Sequence, residues 1–215
     1  MRPLLCWLLF SLGQVVVLVV FSAAFAPSGT YYIDFTGAEI SHMCMPPLGT
    51  HAIVTVPPFR APSQADIVRI RRKIVRMVRA DFSRWPVSVA EGEEHEHPAG
   101  NVVVVGGRCA SPRIWGIAQS VDTGDRRIAQ RAVVFAERIL PVVEAGFSED
   151  ELSQAVANII SHEIGHLLGF SHIAVPWDIM SPSVPENPCV DQRFLYHPQG
   201  YVNRATISLE PIWDG

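Results

Sequence analysis

Three histidines, a glutamate and a glycine stand at set spacings in one short segment, His162-Glu163-x-x-His166-x-x-Gly169-x-x-His172. On a helix, His162 and His166 share one face a turn apart, so that two imidazoles can converge on one metal ion. Gly169 can adopt the left-handed conformation that ends a helix, and the turned chain can bring back His172 as a third ligand. Three imidazoles leave the fourth tetrahedral position to water, as in catalytic zinc sites. Glu163 projects beside the metal, outside its ligand set.

A methionine follows the last histidine at a short interval. Residues 177–182 read Trp-Asp-Ile-Met-Ser-Pro and place Met180 in this segment. Two histidines four positions apart are a weak signal by themselves, because many helices carry them without binding a metal. The full set of spacings is specific and predicts a bound metal ion, with an inert chance match as the alternative.

The helix that carries His162 is predicted to begin well before it. Ser148 followed by Glu151 has the spacing of a capping box, and apolar residues such as Leu152 and Val156 lead into the motif. The pattern predicts a long core helix, which is the rigid support that a metal site needs.

Short runs of β-branched and aromatic residues predict strands ahead of this helix. The predicted strands are residues 31–35, 52–56, 87–89, 101–107, 114–120 and 132–136. The fourth of these runs, residues 101–107, is rich in valine and is typical of a buried central strand. Apart from the minor strand within it, the stretch from residue 37 to 58 shows no regular pattern and is predicted to be irregular.

A second helix is predicted from a cap at Ser63 to Phe82, because its apolar residues recur at steps of three and four. Its opposite face is basic, and we interpret it as a solvated surface. The basic residues of that face are Arg69, Arg72, Lys73, Arg76 and Arg79.

The composition indicates one slightly acidic domain. The chain has 215 residues, with 17 Lys and Arg against 21 Asp and Glu, so its formal net charge is −4. This balance provides no basic field for a polyanion, and we expect no nucleic-acid partner.

The N-terminus carries an apolar leader. Residues 4–26 contain no charged side chain, follow Arg2 and end in small residues. Such a segment is a secretory signal peptide or, since it is long enough to cross a bilayer, an uncleaved membrane anchor. Cleavage is favoured, because an anchored form would leave few residues between the membrane and the first strand. The cut is expected after Ala24, because Pro27 would hinder cleavage after Ala26. Residues 27–215 are then one folded domain outside the cytoplasm.

One of the four cysteines lies in the leader, and the other three lie in the predicted folded domain. Cys6 lies in the leader, and Cys44, Cys109 and Cys189 remain in a compartment where disulfides persist. We favour a disulfide between Cys109 and Cys189, with three reduced cysteines as the alternative.

The segment of residues 91–100 is charged and turn-rich, with His95 and His97 among glutamates. A mobile surface loop is the main interpretation, and a second metal site is the alternative.

These features together resemble the metzincin clan of zinc metallopeptidases. The resemblance rests on the histidine motif followed by Met180 and on the order of strand, helix, strands and motif helix over residues 30–182. The short interval between His172 and Met180 is most similar to the matrixins, the matrix-metalloproteinase-like branch, including secreted bacterial members. The resemblance implies an α+β catalytic domain with a mixed, twisted sheet of about five strands packed on two long helices, and an irregular C-terminal subdomain.

Carried over by position, the resemblance implies that His162, His166 and His172 hold one zinc ion. Glu163 is then the general base, and Met180 lies in the turn beneath the metal. An extended peptide would bind along the strand of residues 114–121, and residues 181–188 would wall the pocket for the side chain after the scissile bond.

Several features of vertebrate matrixins have no clear counterpart in this chain, namely the second, structural zinc site, the calcium loops, the C-terminal helix and a conventional pro-domain before Tyr31. Calcium therefore stays an open question. A Cys44 thiolate on the open zinc position would be a latency device, and a structural or disulfide-bonded cysteine is the alternative.

The implied function is a zinc endopeptidase that hydrolyses extracytoplasmic proteins or peptides. We expect a monomer, secreted or periplasmic, or tethered through residues 4–26 with its catalytic domain outside the cytoplasm. The alternative is a zinc-stabilised binding module at the cell surface that has little or no turnover.

Overall fold

A five-stranded sheet and two α-helices form the framework of the described chain. The computed structural model describes residues 29–45, 49–61, 66–109, 114–122, 127–139, 148–182 and 189–195, with only the backbone for residues 42–45 and 49–52. The strands are β1 (Gly29–Asp34), β2 (Ala38–Met45), β3 (Gly49–Val56), β4 (Val87–Glu91), β5 (Asn101–Val105), β6 (Gly116–Ala118) and β7 (Arg131–Val134), and the helices are α1 (Ile67–Asp81) and α2 (Glu149–Leu167).

The main sheet has the strand order β4-β1-β5-β7-β6. Its first four strands are parallel, and β6 pairs antiparallel with β7 at the edge. The central position of β5 follows from its sequence, because all of its valines are fully buried and only a strand covered on both faces can bury such a run. The prediction of an α+β fold with a mixed five-stranded sheet is confirmed.

Both helices pack on one face of this sheet. α1 has 15 residues and buries Ile70, Ile74 and Val78 against it, while α2 has 19 residues and is buried along most of its length. Neither is exceptionally long, so the expectation of two long helices is met only in part.

The ends of the helices differ in how they are capped. At α2 the predicted capping box is present: the Ser148 hydroxyl accepts a hydrogen bond from the Glu151 amide at 3.3 Å, and the Glu151 carboxylate accepts one from the Ser148 amide at 2.8 Å. At α1 the cap position is Asp66, whose side chain makes no capping bond, and Ser63 lies outside the described residues.

The basic face of α1 is not only solvated. Arg69 contacts the Glu149 carboxylate at 2.6 Å, and Lys73 pairs with Asp150. These pairs join the outer face of α1 to the acidic first turn of α2. They lie at the surface, and each therefore contributes little stability.

The second face of the sheet is covered by a hairpin of which one strand was predicted. β2 and β3 pair antiparallel, so the minor strand predicted at residues 52–56 is present within β3, and the prediction of irregular structure is wrong for β2 and the first residues of β3. Ile40, Val54 and Val56 from the hairpin pack on Val102 and other valines of the sheet. The strand β2 was hard to predict because its pairing shifts register twice, and the apolar alternation is broken at these shifts.

The two faces of the sheet also show whether Cys109 and Cys189 can form the predicted disulfide. Cys109 is buried in the cluster beneath the hairpin, whereas Cys189 packs against the cluster on the helix side. The two thiols are not bonded to each other, so the predicted disulfide is wrong, because the sheet lies between them. The side chain of Cys44 lies outside the described part, and its proposed latency role stays a prediction.

The loop after β4 is held in place by buried polar groups. Asp34 accepts a hydrogen bond from the Glu94 amide at 2.7 Å, and Arg131 from β7 contacts the Glu94 carboxylate at 2.8 Å. His97 stacks on Tyr32 with ring centroids 3.5 Å apart. The loop lies at the surface as expected but is anchored.

The second metal site is not formed in the part of the chain that the structure describes. His95 pairs there with a single acidic side chain, the Glu93 carboxylate, at 3.4 Å. Neither His95 nor His97 joins a described group of three potential metal ligands.

The described residues do not include residues 1–28, which contain the leader, or residues 196–215. They also do not include residues 183–188 of the predicted pocket wall. The predictions made for them stay predictions. None of the helices that are described combines the length and apolar character needed to cross a membrane.

Candidate metal centre

The last turns of α2 and the loop after it bring three histidines together. His162 and His166 lie on the helix, one turn apart, with the intervening Ile164 fully buried on the opposite side. The helix ends at Leu167, and Gly169 has a φ of +89°. The chain therefore turns back as the glycine predicts and places His172 opposite the two helical histidines.

The three Nε2 atoms converge on one point. The distances between them are 3.0 Å for His162 to His166, and 3.2 Å from His172 to each of the other two. Nitrogen ligands about 2.05 Å from a tetrahedral zinc ion are separated by about 3.3 Å, so these rings have the spacing of a three-histidine zinc site.

The opposite ring nitrogens show which tautomer each helical histidine adopts. His162 Nδ1 lies 2.6 Å from the carbonyl oxygen of Ile179, and His166 Nδ1 lies 2.9 Å from that of Phe170. A carbonyl oxygen only accepts, so each Nδ1 carries the proton and donates it. The lone pairs of Nε2 then point toward one another, which is unfavourable without a cation between them and favourable with one.

Burial keeps the His162 and His172 rings neutral. It lowers the pKa of His162 to about 4, with a further contribution from nearby His172, and it lowers the pKa of His172 as well. Neutral imidazoles are the form that binds a metal ion, so the histidines are ready as ligands at neutral pH. The residues present therefore fit a zinc ion.

Glu163 lies beside this cluster in the interior. Its side chain is only 4% exposed, and its Oε2 atom has no hydrogen-bond partner among the described residues. Burial raises the pKa of Glu163 to about 8. A buried carboxyl group with an unpartnered oxygen is costly for the fold, and such groups are typical of sites that move protons.

Gly116 on the edge strand makes room for Glu163 and was not singled out from the sequence. A Cβ atom at this position would lie 2.9 Å from both Cγ and Cδ of Glu163, and closer still to Oε1. The edge strand β6 therefore passes directly against the carboxylate. A glycine inside a predicted strand is the signal that could have indicated such a close approach.

Gly165 has the same relation to Met180. A Cβ atom on Gly165 would overlap the Met180 sulfur and lie 3.3 Å from its terminal methyl group. Met180 is fully buried, so the methionine packs against α2 on the turn between the two histidine ligands. The structure thus places Met180 next to the motif, and its role beneath the metal stays a prediction.

The carboxyl end of α2 is capped by residues from the loop that follows the edge strand. The Asp122 amide donates to the carbonyl of His166 at 3.1 Å, and the Gln130 side chain donates to the carbonyl of Leu167 at 3.2 Å and to Asp122 at 3.2 Å. The bond from Gln130 satisfies the Leu167 carbonyl, and the bond from Asp122 adds to the one that the His166 carbonyl accepts from the Gly169 amide at 2.9 Å. They also tie the loop to the backbone of a ligand, and no sequence signal indicated them.

Behind the histidines, Asp81 at the end of α1 accepts a hydrogen bond from the Ser161 hydroxyl at 2.6 Å. Burial raises the pKa of Asp81 to about 7; the bond from Ser161 and the charge of Arg193 oppose the shift, and the charge of Asp191 adds to it. The folded protein therefore holds a proton here that the unfolded chain releases at a lower pH.

We expect Asp81→Asn to stabilise the protein at pH 8 and to have little effect at pH 4. Because the folded pKa is raised above its ordinary value of 3.8, the folded state binds more protons between about pH 4 and 7, and the free energy of unfolding falls as pH rises through this window. The gain at pH 8 should be on the order of a few kcal/mol, seen as a higher melting temperature. The Asn side chain can still accept from Ser161.

The control for this prediction is Asp150→Asn. Asp150 is exposed, and its pKa is lowered by the hydrogen bond from Lys73, so its replacement should not stabilise the protein at any pH. A difference between Asp81→Asn and wild type that is the same at pH 4 and pH 8 would contradict the buried-proton explanation.

Comparison with known proteins finds similarity at the level of structure. No protein-family model matches the chain, and no curated protein matches it. Among solved structures, the chain is similar to the crystal structure of archaemetzincin from Methanopyrus kandleri, with a TM-score of 0.44 and 15% sequence identity, over 79% of this chain and 89% of that chain.

Proposed function

We propose that the protein is a zinc-dependent endopeptidase of the metzincin clan. One observation carries the proposal: three imidazoles direct their Nε2 atoms at one point, 3.0 to 3.2 Å apart, and Glu163, which follows His162 in the chain, has a buried oxygen with no hydrogen-bond partner among the described residues. A structural zinc site is closed by a fourth protein ligand. The described potential metal ligands at this point are three, which leaves a position for water and substrate.

The residues have distinct roles in this proposal. His162, His166 and His172 hold the metal through Nε2, while the carbonyls of Ile179 and Phe170 hold two of the rings from behind. When bound, zinc supplies a Lewis acid that lowers the pKa of water and polarises a peptide carbonyl.

Glu163 is the proton carrier. It removes a proton from the attacking water as the new bond to the carbonyl carbon forms, and it delivers that proton to the amine nitrogen as the peptide bond breaks. A carboxylate suits both steps, because it accepts the proton from water and the resulting carboxyl group releases the same proton to the amine.

The substrate is proposed to be an extended peptide that adds to the edge of the sheet. β6 is paired on one side only, with β7, so the backbone groups on its other side are available to a further strand within the described sheet. Gly116 on this strand touches Glu163, so a peptide bound along β6 would pass next to the proton carrier.

The finer assignment is a matrixin-like enzyme that acts outside the cytoplasm. The short interval from His172 to Met180 supports the branch, and the apolar leader of residues 4–26 supports export or tethering. Its partners would be protein or peptide substrates.

The proposal is tested by incubating the purified full-length protein with a library of unstructured peptides and identifying cleavage products by mass spectrometry. We expect internal cleavage that stops with a zinc chelator and returns when zinc is added. A protein that binds one zinc ion per chain yet cleaves nothing would overturn the enzymatic assignment and favour a zinc-stabilised binding module.

Gly116→Ala is expected to lower turnover while leaving zinc bound. The added methyl group forces the Glu163 side chain away from β6, and a displacement near 1 Å of a catalytic group costs about 100-fold in rate. The measurement is kcat on a cleaved peptide, together with zinc content.

Gly92→Ala provides the matched control, since its Cβ would lie 2.6 Å from the His97 ring and does not contact the motif. It should have a comparable steric cost and nearly normal kcat. Equal losses of kcat in the two variants would show that the effect of Gly116→Ala is not specific to Glu163.

A further inference from the structure

The segment of residues 189–195 contacts Ile179 and Phe170, the two residues whose carbonyls accept from the helical histidines. We propose that this C-terminal segment, which Asp178 joins to the turn containing Met180, is part of the metal site and positions His162 and His166. The inference rests on the proposed zinc function and assigns Asp178 and Phe194 as positioning residues. Neither was singled out for this role from the sequence.

Asp178 connects the segment to the turn that contains Met180 through two hydrogen bonds. The side chain is fully buried, and its two oxygens accept from two backbone amides, Oδ1 from Met180 at 2.7 Å and Oδ2 from Leu195 at 2.8 Å. Only a side chain with two acceptors can satisfy both amides, which makes the carboxylate specific.

The first connection to a ligand passes through Ile179. Its amide donates to the carbonyl of Arg193 at 3.1 Å, and its own carbonyl accepts from His162 Nδ1 at 2.6 Å. The next pair along the segment is the Arg193 amide and the carbonyl of Trp177, at 3.4 Å. The position of the Ile179 carbonyl, and with it the orientation of the His162 ring, therefore depends on the segment.

The backbone at Trp177 is strained. Its φ is +72°, a value that bulky side chains rarely adopt and that persists only where the surrounding contacts impose it. The bond that the Trp177 carbonyl accepts from the Arg193 amide is one such constraint. The two bonds that the neighbouring Asp178 carboxylate accepts are another. The turn thus has its shape because the segment holds it.

The second connection passes through an aromatic cluster. Phe194 packs edge-on against Phe170 with ring centroids 5.7 Å apart, and both rings contact Trp85. The Phe170 carbonyl is the group that accepts from His166 Nδ1 at 2.9 Å. Phe194 therefore supports the second histidine as Asp178 supports the first.

The segment is also fixed to the motif helix. Asn158, one turn before His162, donates to the carbonyl of Val190 at 2.8 Å and accepts from the Gln192 amide at 3.4 Å. Because α2 and the Met180 turn are both bonded to the same segment, it sets the distance between the histidines and the carbonyls that orient them.

The test compares Asp178→Asn with Asp34→Asn in the full-length protein. Asp34 is 1% exposed, and its oxygens likewise accept from two backbone amides, those of Thr36 at 2.6 Å and Glu94 at 2.7 Å, none of which belongs to the metal centre. Both variants lose one acceptor, so both should melt at a lower temperature without metal.

Zinc affinity, measured by competition with a chelating dye, and the visible absorption spectrum of the cobalt-loaded protein distinguish the two variants. We expect Asp178→Asn to bind zinc about 10- to 100-fold more weakly and to change the cobalt spectrum, whereas Asp34→Asn stays within about twofold of wild type with the same spectrum. Equal metal affinity and identical spectra in the two variants would overturn the inference.

Phe194→Leu is the second variant and decides the matter if Asp178→Asn does not fold. It keeps apolar volume but removes the ring contact with Phe170, and we expect about threefold to tenfold weaker zinc binding with an altered cobalt spectrum. A folded Phe194→Leu protein with unchanged affinity and spectrum would overturn the inference. If wild type binds neither metal, the proposed zinc function itself fails, which is a separate result.

Discussion

Glu163→Gln is expected to remove nearly all peptide hydrolysis while zinc stays bound to the three histidines. The substitution keeps the shape of a side chain that is only 4% exposed and replaces its proton-accepting oxygen by an amide. General acid–base catalysis contributes about 10² to 10⁴ in rate, so kcat should fall by about 10³. The measurement combines kcat on a peptide identified in the library assay with zinc content after dialysis.

The same chemical change at a partly exposed position of α2 provides the control. Glu149 lies in the first turn and pairs with Arg69 at the surface, so Glu149→Gln should retain nearly full kcat. If Glu163→Gln kept more than about a tenth of wild-type turnover, the assignment of Glu163 as the base would be wrong, because that loss is smaller than general-base catalysis contributes.

His172→Ala is expected to release zinc and, with it, all turnover. This histidine is the proposed ligand that lies outside α2, and its Nε2 lies 3.2 Å from both other Nε2 atoms. Removing it leaves two protein ligands, and the loss of affinity should exceed the roughly 100-fold that a residue behind a ligand can cost. Zinc stoichiometry after dialysis and the cobalt spectrum measure the effect.

His95→Ala is the matched control for the ligand prediction. The His95 side chain is 73% exposed and pairs with Glu93, so its removal should change neither zinc stoichiometry nor turnover. The variant also tests the alternative of a second metal site, since loss of a second ion in His95→Ala would support that site. Unchanged zinc affinity in His172→Ala would exclude that residue as a ligand.

Features that depend on neighbours in sequence were predictable. The capping box of Ser148 and Glu151 forms within one turn, and the spacing of His162 and His166 on a helix follows from 3.6 residues per turn. The buried valines of β5 predict their central strand for a similar reason, since one run of residue types specifies burial on both faces.

Features that depend on distant partners were missed or wrong. The hairpin of β2 and β3 is stabilised by packing on the far face of the sheet, and its register shifts hide the alternation that would reveal it. The disulfide between Cys109 and Cys189 was a plausible pair along the chain, but the sheet separates the two residues. Spacing in sequence carries no information about which face a residue occupies.

The sequence by itself determined the residue types of the metal centre and the helix that presents two of them, because helix geometry converts a local spacing into a common direction. Only the tertiary structure decided what surrounds them: Gly116 against Glu163, the carbonyl of Ile179 behind His162, and Asp178 joining the turn to the C-terminal segment. The physical reason is that these contacts join segments far apart along the chain, and their geometry exists only after the sheet and helices have packed.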